Sequence, residues 1–108
     1  MNKEKGNIKF HPTNIPEITV GNAELGRLIA RMRYDQVAEV LSGISEELGS
    51  QAEADLLRGR PQLAQLLRSS QHILVNATEV MGRIFRLSRP FMEHEFTVEN
   101  TPDHNIKN

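Results

Sequence analysis

The side chains of this 108-residue chain able to move a proton, bind a metal or pair with an anion are four histidines, fourteen carboxylates, thirteen lysines and arginines, and one tyrosine. Cysteine is absent, which excludes a disulfide framework, a thiolate metal site and a thiol nucleophile. The histidines stand at 11, 72, 94 and 104, with no metal-ligand spacing among them. His94, between Glu93 and Glu95, would hold a metal only if assembly brought two copies together; a solvated acidic turn is the simpler reading. His72 precedes Asn76 by four residues and Glu79 by seven, and reads as a rim residue rather than a general base. There is no Gly-rich phosphate loop, no Gly-x-Ser-x-Gly and no His-Glu-x-x-His. A di-metal bundle needs Glu and Glu-x-x-His directed inward, whereas the candidate inward positions here are aliphatic. The expectation is no catalytic residue, no metal and no cofactor.

The arginines are the second source of chemistry. A net charge of −1 argues against a general nucleic-acid binder, but the charges are segregated. All four lysines lie outside residues 10–106, and all nine arginines lie between 27 and 89. From Tyr34 to Asp55 there are six acids and no base; from Leu56 to Met92 there are six arginines and one acid, Glu79. Arg83, Arg86 and Arg89, three residues apart, are the candidate charge-pairing or anion-binding cluster. Pairing with the acids of 34–55 is the simplest account of them, and contact with nucleic-acid phosphates is the alternative. The run from Pro61 to Leu74 looks superficially like the opening of a helix-turn-helix, with Gln71 near a recognition-helix start. It lacks the turn glycine, and its apolar phase runs through unbroken. No membrane contact is expected from the basic helix, because its apolar side is needed for packing.

These groups must be carried by helices. Asn22 is a good N-cap ahead of Glu24; Leu25, Leu28, Ile29 and Met32 form one apolar stripe, and Tyr34, Val37, Leu41, Ile44 and Leu48 form a second. Gly49 sits where a helix can close, and Ser50-Gln-Ala-Glu53 matches a capping box. The expected elements are a helix over about 23–48 and a short linking helix over about 51–58, with one bent helix as the competing reading. Arg58-Gly59-Arg60-Pro61 is the strongest break. Beyond it, Leu63, Leu66, Ser70, Ile73, Ala77, Val80, Ile84, Leu87 and Phe91 alternate three and four apart, as the a and d positions of heptads do, and Leu67, Leu74 and Met81 at e widen the stripe. Pro90 marks Arg89 as the expected helix end. The small residues Ser70 and Ala77 read either as a polar or cavity-like site or, more simply, as points of close helix approach. The β-prone runs 15–20 and 95–98 could pair as a minor strand or lie extended.

A turn at 59–61 sets residue i roughly opposite residue 120 − i, bringing the acidic segment beside the basic one. The expected fold is all-α: an antiparallel helical hairpin with a short linking helix, dimerising into a four-helix-type bundle. Residues 1–21 and 90–108 read as tails around a helical domain, 22–89. Two antiparallel helices cannot cover apolar faces this wide, so the remainder needs a second copy or another protein. Val80, Met81, Ile84, Phe85, Leu87, Phe91 and Met92 are the expected interface. No apolar run reaches the ~20 residues of a membrane span, and no apolar stretch follows the N-terminus as in a secretory signal. The expectation is therefore a cytoplasmic, non-enzymatic interaction module (an adaptor, regulator or assembly factor) working as a homo-oligomer. A small DNA- or RNA-binding regulator is the alternative, and a pocket beside Ser70 and Ala77 is a third reading.

Overall fold

The computed structural model describes residues 11–100, with side chains described as far as Phe91. Three helices follow one another: α1 (Asn22–Ala30), α2 (Tyr34–Leu57) and α3 (Pro61–Asn100). No strand occurs among the described residues, so neither β-prone run pairs; residues 95–98 lie within α3.

The first helix opens one residue earlier than expected. Gly21 is its extended N-cap and Leu25 N donates to the Gly21 carbonyl at 2.9 Å, while the Asn22 side chain instead donates to the Thr13 carbonyl at 2.9 Å. The expected single helix over 23–48 is corrected: the backbone breaks at Arg31–Arg33. No glycine or proline marks that break. Its cause is the apolar phase, because at 100° per residue the stripe ending at Met32 and the stripe beginning at Tyr34 fall on opposite sides of one straight helix. The break lets the second stripe face α3, where Val37 is buried, while Leu28 and Met32 of the first stay exposed. The expected linking helix over 51–58 is corrected too. Helix α2 runs unbroken through Gly49 to Leu57, because Gly49 is spent on a close helix approach rather than on a terminus.

The 59–61 break is where the sequence placed it. Gly59 has φ of 77°, Arg60 N donates to the Asp55 carbonyl at 2.9 Å, and Gly59 N donates to the Leu56 carbonyl at 3.0 Å. Those two bonds make a Schellman turn, which needs the left-handed conformation that glycine adopts freely. Arg60 Nη1 also donates to Asp55 Oδ1 at 3.1 Å. Pro61 opens α3 at a position where a missing N–H costs nothing. At the other end the expected stop at Arg89 is corrected, since α3 continues through Pro90 to Asn100. Pro90 is exposed, so water can satisfy the Arg86 carbonyl that proline leaves without a donor.

Helices α2 and α3 pack antiparallel in the expected register. Gly49 lies against Gln71, Arg68 reaches Glu53 and Arg33 reaches Phe85. The seam is made of small residues: Ser45, Gly49 and Ala52 on α2 and Ala64 on α3 are buried. Among the described residues only Val37, Ala52 and Ala64 form the buried apolar core, and no large side chain is fully buried. Helices α2 and α3 pack on each other and α1 touches only α2, so the hairpin itself is a single layer, and a core needs two.

Candidate interaction surface

Which side of α3 meets α2 decides what remains open. The inward residues are Ala64, Leu67, Gln71, Leu74, Thr78, Met81, Phe85 and Ser88, all buried or half-buried. That row sits one position on from the a/d row, so α2 packs on the b and e positions. The strongest apolar stripe is turned outward along its whole length: Leu66 is 66% exposed, Ile73 67%, Leu87 77% and Phe91 67%. Leu63, Val80 and Ile84 lie along the same exposed line.

Helix α2 adds its own open flank beside this stripe. Val40 and Leu48 are half-buried and Ile44 is exposed; by helical rotation they share a side of the hairpin with Leu63, Ser70 and Ala77. A shallow groove at the turn end confirms this sidedness, because Glu47, Gln51 and Asp55 of α2 line it together with Leu63. His11 lines it as well, so the segment ahead of α1 runs back beside the turn. Leu57, 85% exposed, and Leu56 project near that turn. On the opposite side Asp35, Glu39, Glu46 and Glu53 share a flank of α2, and Arg68, Arg83 and Arg86 share the neighbouring flank of α3. The hairpin therefore has one apolar face and one charged face.

The expected site residues divide between these surfaces. Val80, Ile84, Leu87 and Phe91 are on the open apolar face, while Met81 and Phe85 are half-buried toward α2. The side chain of Met92 lies outside the described residues, as do those of Glu93, His94 and Glu95. Leu63, Leu66, Ile73 and Ile44 belong to the same face and were absent from the expected interface. Their signal was present in the a/d periodicity, but the apolar density after residue 80 drew attention to one end. Ser70 is exposed and Ala77 half-buried on this face, so neither serves close packing inside the hairpin.

Arg83 and Arg86 do not make the expected ion pairs with α2 among the described residues. Among the described residues one ion pair crosses the hairpin, Arg68 to Glu53 at 3.8 Å. Asp35, which the register sets opposite residue 85, is taken by Arg33: Nε and Nη2 donate to its two oxygens at 2.7 and 2.9 Å. A partner two residues away has almost no loop to close and wins over one on another helix. The guanidinium holds the Asp35 carboxyl below the usual carboxylate range, chiefly through these hydrogen bonds, and Arg33 is itself held more basic than usual. Arg33 and Arg89 each lie 5.9 Å from the centroid of the Phe85 ring. Arg83 and Arg86 form no ion pair among the described residues.

Among the described residues no group of three or more His, Asp or Glu side chains could hold a metal ion, and no helix is long and apolar enough to cross a membrane. No family model, no curated protein and no solved structure matches this chain.

Proposed function

We propose that this chain is a non-enzymatic helical interaction module, of the adaptor, regulator or assembly-factor kind, that works as a homo-oligomer by covering its open apolar face. The observation that carries this reading is the single-layer body: the longest apolar stripe in the chain, Leu63 to Phe91, is exposed while α2 packs on the side next to it. Full burial of a Leu, Ile or Phe side chain is worth ~1.5–3 kcal/mol, and the stripe offers several such side chains that the hairpin itself leaves uncovered. A 12.2 kDa chain with no cysteine to form a disulfide has few other ways to reach a stable core.

The test compares two neighbours in α3 that differ in which face they occupy. Leu87→Asp is expected to weaken assembly by about 100-fold or more, because it places a carboxylate where an apolar side chain is buried. Arg86→Ala, on the charged face, is expected to leave assembly nearly unchanged. Equal effects in sedimentation velocity would contradict the reading.

A second reading, a small nucleic-acid-associated regulator, is favoured by one observation: Arg83 and Arg86 have no carboxylate partner among the described residues, beside the Arg33–Phe85–Arg89 group. Contacts to several phosphates would make duplex binding fall steeply with salt; no binding even at low salt would retire that reading.

A further inference from the structure

We infer that the occupant of the open face is a second copy of this chain with its α3 antiparallel to the first, Leu66 lying over the partner's Ile84, Ser70 over the partner's Val80 and Ile73 over the partner's Ala77. This rests on the assembly reading above and specifies its partner and geometry.

Length selects the partner helix. The open stripe of α3 spans residues 63–91, about 42 Å at 1.5 Å per residue, whereas the open apolar flank of α2 spans only 40–48. No element of this chain except another α3 is long enough to cover α3. At ~10 Å per helix, the α3 stripe and the shorter α2 flank together offer roughly 550 Å² per copy, close to the lower bound of about 600 Å² per partner for a stable interface. Charge permits an identical partner. The acids Asp35, Glu39, Glu46 and Glu53 and the arginines 68, 83 and 86 are turned to the other face; the charges on this side, Glu47, Asp55, Arg58 and Arg60, are of both signs and gathered near the turn, away from the middle of the stripe.

Side-chain size then sets the direction. Two parallel copies in register would set Ser70 against Ser70 and Ala77 against Ala77, leaving gaps that a close-packed interface does not tolerate. Reversing one helix about a point near residue 75 places each small residue opposite a β-branched one and each large residue of the flanking layers opposite another. The same register accounts for the ends. Helix α3 continues beyond the start of its own α2, leaving Leu87 and Phe91 uncovered. The antiparallel arrangement carries them onto the partner's Leu63 and the partner's Gly59 at its turn.

Because the chain contains no cysteine, single cysteines report the register directly. Leu66→Cys and Ile84→Cys proteins, each shown to sediment as the wild type does, are refolded together and treated with a short thiol-to-thiol cross-linker. A covalent heterodimer is expected from the mixture, at least about tenfold above either protein alone, since like positions lie about 27 Å apart in this register. Self-cross-linking of either variant alone would show parallel helices and overturn the inference. So would efficient cross-linking of L66C to I44C, which would put α3 on the partner's α2. So would a dimer in which no pair reacts. If either substitution prevents folding, Ser70→Cys with Val80→Cys asks the same question from an exposed position. A wild-type chain that sediments as a monomer would defeat the assembly reading itself, an outcome separable from a dimer with the wrong cross-links.

Discussion

Gly49 is where α2 meets a side chain of α3 most closely. A Cβ there would collide with the carboxamide of Gln71, which Arg68 Nη1 holds through a 3.2 Å hydrogen bond to Oε1. Arg68 in turn reaches Glu53, so a polar chain of three side chains crosses the seam beside the glycine. The colliding atoms are the far end of a flexible side chain, and alanine is ~1 kcal/mol better than glycine within a helix. Gly49→Ala should therefore change stability by less than about 1 kcal/mol. Gly49→Leu cannot be accommodated by moving Gln71 and should cost about 1–3 kcal/mol; denaturant unfolding at a fixed protein concentration measures both. Asp35 behaves differently because it titrates. Its carboxylate sits in the first turn of α2, where negative charge is favoured, and Arg33 keeps its folded-state pKa below the ordinary value. Its contribution is then complete above the ordinary carboxylate pKa and is lost as pH falls through the lower folded-state value. Asp35→Asn should destabilise the protein at neutral pH, and the difference from wild type should shrink below about pH 4. Thermal melts from pH 2 to pH 7 would show it, and a constant difference would contradict this role for the Arg33–Asp35 pair.

At the scale of elements, the Schellman turn makes the cleanest prediction. Gly59 has open space around its missing Cβ, so Gly59→Ala meets no clash and pays only for the left-handed backbone. The expected cost is about 1–2 kcal/mol, with the helical circular dichroism unchanged. This turn was legible from four residues, because Arg58-Gly59-Arg60-Pro61 combines the two strongest signals for closing one helix and opening another. The antiparallel register was legible for the same reason, since it follows from the turn's position. The other boundaries were hidden by different physics. Gly49 and Ser50-Gln-Ala-Glu53 carry the local marks of a terminus, yet the contact with Gln71 makes a continuous helix better there, and no local pattern encodes a tertiary contact. Pro90 misled similarly: it removes one hydrogen bond on an exposed side, and a forty-residue helix survives that. The Arg31–Arg33 break was readable but unread, since the stripes ending at Met32 and starting at Tyr34 differ by half a turn in phase. Which face of α3 meets α2 could not be read, because the a/d row and the adjoining b/e row are both apolar enough to pack.

The hairpin of α2 and α3 is one helix thick, with the apolar stripe of α3 on one side and most of its acids and arginines on the other. Segregation of charge, visible in the sequence as an acidic run followed by a basic one, does little by contact, with a single ion pair between α2 and α3 among the described residues. Exposed pairs contribute only ~0–1 kcal/mol each. Its larger effect is exclusion: by occupying one side, the charges leave the other free for burial. If that side is covered by a second copy, folding and association are one equilibrium, and the melting temperature must rise with protein concentration. A tenfold increase in concentration adds about 1.4 kcal/mol to the association term, so a rise of several degrees is expected in a chain this small. A melting temperature independent of concentration would mean that the hairpin stands alone.

The claim on which this account depends is that the stripe from Leu63 to Phe91 is buried against another copy. Sedimentation equilibrium of the full chain at micromolar concentration tests it most directly. The account predicts a particle of two 12.2 kDa chains that dissociates reversibly on dilution, whereas a single species of one chain's mass across that range would contradict it.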